Sequence, residues 1–322
     1  MRLLKNDQPY GKGADVLIEP TLKSTLLEGK VAIVTGGSRG IGGATATTLV
    51  ANGAHVVIAE VDRAKAEETA GELNAAYGAG CASVFVADLA APDAANDLVS
   101  DTVSSHGQLD IVVNNAGYAW DSGIHAMSDE QFQAMLDIHL AVPFRIARAC
   151  APVFRAAAKA DDEKGVVSYR KTVMVSSMAG LAGLAGGGNY ASAKAGVLGL
   201  AKTLAQEWGP LHVNVNAVAF GVIQTRFALP QSDREVIETG GRTIHVGMPA
   251  KQAQRLGVSI DPENPPTEAE IYEAKQMPFI LMGRTGTVID AADSIFYLCS
   301  PLSNYVTGHV LQVTGGLNLG LG

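Results

Sequence analysis

Residues 31–42 read Val31-Ala-Ile-Val-Thr35 followed by Gly36-Gly-Ser-Arg-Gly-Ile-Gly42. The first five residues are mostly apolar and β-branched, which is typical of a buried strand. Glycines at 36, 40 and 42 allow a sharp turn and a close approach of the backbone to a ligand. A helix that starts at such a turn presents free N–H groups and a positive dipole end to a pyrophosphate. The stretch therefore predicts the dinucleotide-binding turn of a βαβ unit.

An acidic residue, Glu60, ends the next predicted strand, residues 55–59. Its separation along the sequence from the glycines is typical of a carboxylate that binds the adenosine ribose hydroxyls. A carboxylate there repels a 2′-phosphate and favours NAD over NADP, although Arg39 and Arg63 are near enough to bind that phosphate instead. Asp88, at the end of a third strand, is a candidate acceptor for the adenine amine.

Short apolar runs alternate with helix-like segments along the rest of the chain. Strands are predicted at residues 31–35, 55–59, 83–87, 110–113, 171–175, 212–218 and 310–313. Helices are predicted up to residue 52, from Asp62 to about residue 78, from the capping box Ser128-Asp-Glu-Gln131, over 189–208 and over 290–299. This alternation predicts a Rossmann-like, doubly wound, seven-stranded parallel sheet between two helical layers, α/β/α, in a single domain.

Three segments do not fit this alternation. Residues 1–27 form an N-terminal extension to a domain that covers 28–322, and residues 158–170 are a polar insertion. Residues 226–282 are rich in proline and charge, and a loop of that length is typically a functional lid, here over the substrate. Phe132, Leu136, Leu140 and Phe144 share one helix face, which we expect to pack in the core or between subunits.

Composition excludes several classes of function. The 322 residues are 47% hydrophobic with a formal net charge of −8, which argues against a nucleic-acid partner. The chain has three widely spaced cysteines and no long apolar run, so we expect a cytoplasmic protein without disulfides or a membrane span. The histidines His106, His125 and His139 lack ligand-like spacing, and no metal site is predicted.

Tyr190 and Lys194 lie one turn apart on the same face of a predicted helix. Reduction of a carbonyl needs an acid that protonates the forming alkoxide, and oxidation of an alcohol needs the matching base. A lysine ammonium beside a tyrosine favours the phenolate and is expected to lower the pKa of the phenol. Ser177, after the fifth strand, is placed to hydrogen-bond the substrate oxygen.

Together these motifs resemble the short-chain dehydrogenase/reductase superfamily over about residues 28–225 and 283–317. The markers are the glycine turn, Asn114-Asn-Ala-Gly117, Ser177, the Tyr190/Lys194 pair, and a tail with Gly283-Arg, Thr307-Gly308 and Gly315-Gly316. The resemblance implies Tyr190 as acid and base, Lys194 as a ligand of the nicotinamide ribose that lowers the tyrosine pKa, and Ser177 as the orienting group. It also implies a homo-oligomer, a dimer or tetramer, assembled through the 189–208 helix and the Phe132 face.

The same resemblance implies a set of cofactor contacts along the strand ends, with Ile223 near the carboxamide. The expected contacts are Gly36, Ser38, Arg39, Gly40, Ile41, Gly42, Glu60, Asp88, Leu89, Asn115, Ala116, Gly117, Tyr190, Lys194, Ile223 and Thr225.

The chain departs from the family pattern at three points. His139 stands where the family has a catalytic asparagine, which holds a relay water largely through its main-chain carbonyl; His139 would preserve that relay, add a titrating group, or be structural. Phe220-Gly221 replaces the usual Pro-Gly beside the nicotinamide. The 226–282 segment is longer than usual.

The leading hypothesis is an NAD(P)-dependent oxidoreductase for 3-oxoacyl or 3-hydroxyacyl thioesters, since the chain resembles both 3-oxoacyl-acyl-carrier-protein reductases and hydroxyacyl-CoA dehydrogenases. The alternatives are a steroid, terpene or sugar alcohol dehydrogenase, and, from another class, a non-catalytic dinucleotide-sensing scaffold. The intact Ser177, Tyr190 and Lys194 argue against the scaffold.

Overall fold

The computed structural model describes residues 20–226, 236–245 and 280–317. Seven parallel strands form one sheet in the order β3-β2-β1-β4-β5-β6-β9. These are β1 (Val31–Thr35), β2 (His55–Glu60), β3 (Ala82–Val86), β4 (Ile111–Asn114), β5 (Arg170–Ser177), β6 (Val213–Phe220) and β9 (Val310–Val313). The order reverses between β1 and β4, which is where ligands bind in such sheets. The predicted Rossmann-like fold and strand number are confirmed.

Helices cover both faces of the sheet. They are α1 (Gly40–Ala51), α2 (Arg63–Tyr77), α3 (Ala94–His106), α4 (Asp129–Leu136), α5 (Val142–Lys164), α6 (Ala179–Ala182), α7 (Gly188–Trp208) and α8 (Val288–Cys299). One hydrophobic core contains residues of α1, α2 and α8, and the other contains residues of α3, α5 and α7. Because each layer has its own core, β1 and β6 are buried along their whole length.

The predicted helix starts agree with the caps. Asp62 accepts a hydrogen bond from the Lys65 amide at the start of α2, and Ser128 and Gln131 form a reciprocal capping box at α4. The long helix is interrupted by a π-helical turn, Asp137–Ala141. That turn places His139 in the interior, with 3% of its surface exposed.

The apolar stripe of the long helix lies only partly in the core, against which Leu140 packs. Phe132 and Phe144 are 37% and 47% exposed, whereas Met135, Ile138 and Ile146 are buried. Phe132 and Phe144 therefore do not pack in the core of this chain, and for them the alternative of packing between subunits stays a prediction.

Parts of two of the segments that do not fit the alternation extend or pack against the domain. Residues 158–164 of the polar insertion extend α5, and Arg170 begins β5 with a salt bridge to Asp161 at 3.0 Å. In the N-terminal extension Leu27 is buried, and Ser24 donates a hydrogen bond to Asn52 at the end of α1. Of this extension residues 1–19 lie outside the described residues.

Most of the expected lid, residues 227–235 and 246–279, also lies outside the described residues. Its described part is an antiparallel hairpin of β7 (Val236–Thr239) and β8 (Arg242–His245). Among the described helices none is long and apolar enough to cross a membrane.

Candidate active site

The turn between β1 and α1 is shaped by glycine. Gly36 and Gly40 have φ angles of +61° and +54°, which side chains rarely adopt. A Cβ on Gly42 would overlap the carbonyl of Gly36, so the helix and the turn approach as closely as glycine alone permits. No side chain of the described residues caps α1, and its first turn has no acidic residue. Its free N–H groups therefore suit the pyrophosphate of a dinucleotide.

Asn115 connects the end of β4 to this turn. Its amide nitrogen Nδ2 donates to the carbonyls of Thr35 and Gly36 at 3.0 and 3.2 Å. In return the hydroxyl of Thr35 accepts from the backbone amides of Asn115 and Ala116 at 2.9 and 3.0 Å. These bonds position the Asn114–Gly117 turn against the glycine turn, as the family resemblance implies.

The charged side chains at and after the end of β2 form hydrogen bonds or ion pairs within the chain. Ser38 donates to a Glu60 carboxylate oxygen at 2.6 Å, and the Val61 amide donates to the other oxygen at 2.9 Å. Arg39 forms a salt bridge with Asp62 at 2.7 Å. The Arg39 guanidinium holds the pKa of Asp62 below its ordinary value. Arg63, the other cation considered for a 2′-phosphate, pairs with Glu67 at 3.1 Å on the exposed side of α2.

The three catalytic candidates meet at the C-terminal ends of the central strands. Ser177 is the last residue of β5, and Tyr190 and Lys194 lie in the first two turns of α7. Ser177 lies close enough to the Tyr190 hydroxyl to lower the pKa of the phenol by hydrogen bonding. The Lys194 ammonium lies 5.6 Å from the centre of the Tyr190 ring and donates to the Val175 carbonyl at 2.6 Å.

Burial dominates the protonation of these groups. It raises the pKa of Tyr190 to about 12, against a smaller lowering by the Ser177 hydrogen bond. It lowers the pKa of Lys194 to about 7. The expectation that Lys194 lowers the tyrosine pKa is not met in this structure, because the lysine itself is desolvated and directed at a carbonyl. At neutral pH Tyr190 is a protonated phenol, the form that donates a proton to a reduced carbonyl.

His139 contacts Tyr190. Its ring meets the Tyr190 ring edge to face, with 5.1 Å between centroids. Its Nε2 lies 2.7 Å from the Tyr118 carbonyl and must carry the proton, since a carbonyl only accepts. Burial, and then the Lys194 charge, hold the pKa of His139 well below its ordinary value. The imidazole is therefore neutral, and its Nδ1 is a buried acceptor with no hydrogen-bond partner among the described residues.

One cavity connects the glycine turn with the catalytic residues. The predicted residues that line it are Gly36, Arg39, Gly40, Ile41, Glu60, Asp88, Leu89, Asn115, Ala116, Gly117, His139, Ser177, Tyr190, Lys194, Ile223 and Thr225. Two predicted contacts, Ser38 and Gly42, do not line it: Ser38 holds Glu60, and Gly42 packs against Gly36. We call the part with Gly36, Arg39 and Glu60 the nucleotide end, and the part with Ser177, Tyr190 and Lys194 the catalytic end.

Sequence reasoning missed several residues of this cavity. Asp121 lines it, and its charge contributes to the raised pKa of Tyr190. Ile237 and Thr239 of the hairpin line it as well. The hairpin had one local signal, the Gly240-Gly241 pair, which is typical of a two-residue hairpin turn. Asp121 had no comparable signal.

Among the described ranges no group of three or more His, Cys, Asp or Glu side chains is placed to hold a metal ion. The glycine turn, the unobstructed start of α1 and the Glu60 carboxylate fit a nicotinamide dinucleotide. With a phenol, a serine and a lysine at the far end of the same cavity, the fold and site define a nicotinamide-dependent oxidoreductase.

Comparison with known proteins gives the family. The model of the short chain dehydrogenase family matches residues 30–235, and the chain belongs to this family of oxidoreductases acting on CH–OH groups. The 3-oxoacyl-[acyl-carrier-protein] reductase FabG of Chlamydia muridarum is 32% identical over 91% of this chain and 99% of its own length. The FabG protein of Escherichia coli strain K12 is 31% identical over 90% and 98%.

A solved structure shows the same architecture. L-sorbose reductase from Gluconobacter frateurii, in complex with NADPH and L-sorbose, superposes with a TM-score of 0.74 at 25% identity. The match covers 90% of this chain and 97% of the reductase. Family membership and this likeness support a nicotinamide cofactor, NAD or NADP.

Proposed function

We propose that the protein interconverts 3-oxoacyl and 3-hydroxyacyl thioesters with a nicotinamide cofactor. The observation that carries the chemistry is the meeting of Ser177, Tyr190 and Lys194 at one end of a cavity whose other end is the glycine turn. The similarity to two FabG proteins over nearly their full length supports the thioester as substrate. Apolar side chains of Ile138, Leu184 and Val222 line the cavity and suit an acyl chain.

Each catalytic residue has a distinct role in this proposal. The nicotinamide supplies or accepts the hydride at the substrate carbon. Tyr190 donates its phenolic proton to the carbonyl oxygen during reduction and recovers a proton during oxidation. Ser177, which lies beside the Tyr190 hydroxyl, holds the same substrate oxygen. Lys194, directed at the end of β5, binds the nicotinamide ribose.

We propose that His139 takes part in the proton relay by accepting a hydrogen bond, at Nδ1, from a water that passes a proton from solvent to the Tyr190 phenolate. Its neutral ring is fixed by the Tyr118 carbonyl and presents the buried Nδ1 acceptor beside Tyr190 and Lys194. His139→Asn restores the family's usual residue, while His139→Leu removes the acceptor. If His139 acts in the relay, His139→Leu alters the pH profile of kcat, whereas His139→Asn keeps the profile of the parent protein. Identical pH profiles for the two variants would assign His139 a structural role.

We propose NAD as the preferred cofactor. Glu60 lines the nucleotide end and is fixed by Ser38, so its carboxylate is positioned to accept from ribose hydroxyls and to repel a 2′-phosphate. Arg39 also lines this end but is paired with Asp62. The charges of the described residues therefore favour the cofactor without the phosphate.

A sugar or polyol substrate is the second candidate. Asp121 places a carboxylate in the cavity, and a carboxylate accepts hydrogen bonds from hydroxyl groups. The fold is shared with a reductase solved with L-sorbose. In that case Asp121→Asn would abolish sugar reduction, whereas for a thioester it would change turnover little.

The test is a comparison of acetoacetyl-CoA, L-sorbose, a 3-ketosteroid and a small ketone, each with NADH and with NADPH. We expect acetoacetyl-CoA with NADH to give the highest kcat/KM. If kcat/KM is higher for L-sorbose and this activity is lost in Asp121→Asn, the substrate is a polyol and not a thioester.

We further propose a cytoplasmic homo-oligomer, a dimer or tetramer. The exposed Phe132 and Phe144 support an interface on α4 and α5, with the Arg148 guanidinium 5.4 Å from the centre of the Phe144 ring. Sedimentation of Phe144→Asp tests it: a protein that stays oligomeric excludes this face.

A further inference from the structure

The 236–245 hairpin is shaped to reach across to the end of β3. Gly240 and Gly241 have φ angles of +58° and +72°, the two positive values that a tight two-residue hairpin turn requires. Thr239 and Arg242 pair directly across this turn. Behind it Ile244 is 1% exposed and belongs to the core beneath α3 and α5. The turn is therefore held at a fixed position by the packing of β8.

The turn hydrogen-bonds a single carboxylate, that of Asp88. The Thr239 hydroxyl donates to one Asp88 oxygen at 2.7 Å, and the Gly240 amide donates to the other at 2.6 Å. The Ala90 amide donates to the first oxygen as well, at 3.0 Å. Three donors therefore already hold the residue that the sequence assigned to the adenine amine.

A second set of contacts fixes the other side of the hairpin. The Arg242 guanidinium lies 3.3 Å from a Glu130 oxygen and 3.7 Å from an Asp137 oxygen, on α4 and the π turn. It also acts on the Tyr118 hydroxyl, lowering a pKa that burial raises. The Tyr118 carbonyl accepts from His139, so the hairpin is connected to the catalytic end through two residues.

The hairpin forms a wall of the nucleotide end. Ile237 and Thr239 line the cavity, and the hydrogen bonds of Thr239 and Gly240 to Asp88, at the end of β3 beside β2, put the hairpin turn on the cofactor side of the cleft. We propose that the hairpin is a clamp on the adenosine half of the cofactor, with Ile237 against the adenosine and Asp88 as the latch that holds Thr239 and Gly240. This inference rests on the proposed use of a nicotinamide dinucleotide, and it is independent of the substrate.

Thr239→Val tests the latch, because valine keeps the β-branched shape and removes the donor to Asp88. We expect the Kd of NADH and of ADP-ribose to rise roughly fivefold or more, since the lost hydrogen bond is to a charged group. The Kd of nicotinamide mononucleotide should stay unchanged, because that fragment lacks the adenosine. Thr239→Ser restores the hydroxyl and should restore the Kd of ADP-ribose.

Thr243→Val is the matched control. Thr243 lies on the same hairpin and donates to Glu238 at 2.6 Å on the exposed face, away from Asp88. It should leave all three Kd values unchanged.

Three outcomes overturn the clamp. Unchanged ADP-ribose binding in Thr239→Val shows that the latch does not serve the cofactor. Tighter binding shows that the hairpin competes with the cofactor for Asp88. An increase in substrate KM alone makes the hairpin a substrate cover. Failure of the parent protein to bind NADH, NADPH or ADP-ribose would instead reject the proposed function itself.

Discussion

The two ends of the cavity differ in the exposure of their charged and titratable side chains. At the nucleotide end, Arg39 and Asp62 keep 30% and 40% of their side-chain surface exposed and form an ion pair. At the catalytic end Lys194 and His139 are 5% and 3% exposed, and burial shifts their pKa values. We therefore expect selection among cofactors to depend on charge pairing in partly solvated surroundings, and proton transfer to depend on desolvation. Substitutions that affect one end and leave the other unchanged test this division.

The largest effect is expected from Tyr190→Phe. In the proposed mechanism the phenol is the proton donor at the catalytic end, and general acid catalysis typically contributes about 10²–10⁴-fold in rate. We expect kcat to fall by roughly 10³-fold while the Kd of NADH changes less than about twofold. Single-turnover kinetics and NADH fluorescence measure the two quantities. Turnover retained by this variant would remove Tyr190 from the mechanism.

Gly42→Ala should affect the opposite end. Its Cβ would overlap the Gly36 carbonyl and the Asn115 amide, and such overpacking costs about 1–3 kcal/mol. We expect weaker NADH binding, by roughly tenfold, and a lower urea midpoint. Gly71→Ala is the control, because nothing lies within 4 Å of a Cβ on this helical residue. It should stabilise the fold by about 0.5–1 kcal/mol and leave NADH binding unchanged. Equal binding by both variants would contradict a backbone cradle.

The buried lysine predicts a pH dependence of stability. The pKa of Lys194 falls from its ordinary 10.5 to about 7 on folding. Between these values the unfolded chain binds a proton that the folded chain lacks, so stability rises with pH in that window. The limiting slope is about 1.4 kcal/mol per pH unit. We expect the free energy of unfolding in urea to rise by roughly 1 kcal/mol from pH 7 to 8, and Lys194→Met to abolish most of this rise.

Lys171→Met separates this effect from a second buried lysine. Burial lowers the pKa of Lys171 to about 8, so its contribution reaches half of the limiting slope at about pH 8 and is largest above it. This variant should keep most of the rise between pH 7 and 8. If Lys171→Met abolishes the rise in stability and Lys194→Met keeps it, the group that titrates between pH 7 and 8 is Lys171 and not Lys194.

The sequence predicted what depends on local patterns. Residues 31–42 contain the strand, the turn and the helix start within one short stretch, and Glu60 follows from the length of one βα unit. The fold and the number of strands follow from the alternation, whereas the strand order was not predicted. Side-chain pairs between distant segments were not predictable: neither Arg39–Asp62 nor Thr239–Asp88 follows from residue spacing. The protonation of Lys194 was also missed, since burial has no local signature.

The smallest expected effect tests one of those pairs. Asp62 has two functions: one carboxylate oxygen accepts from the Lys65 amide at the start of α2, and the other holds Arg39. Asn is as good a helix cap as Asp, so Asp62→Asn should keep the cap and release the arginine. A released guanidinium at the nucleotide end can bind a 2′-phosphate.

We therefore expect Asp62→Asn to raise the ratio of kcat/KM with NADPH to kcat/KM with NADH by roughly fivefold at low salt, and less at high salt because the pair is partly exposed. Glu67→Gln removes the same formal charge but releases Arg63 on the exposed side of α2, and it should leave the ratio unchanged. Adding Arg39→Ala to Asp62→Asn should cancel the gain. An equal gain in Asp62→Asn and Glu67→Gln would reduce the effect to net charge, and cofactor choice would then not depend on the Arg39–Asp62 pair.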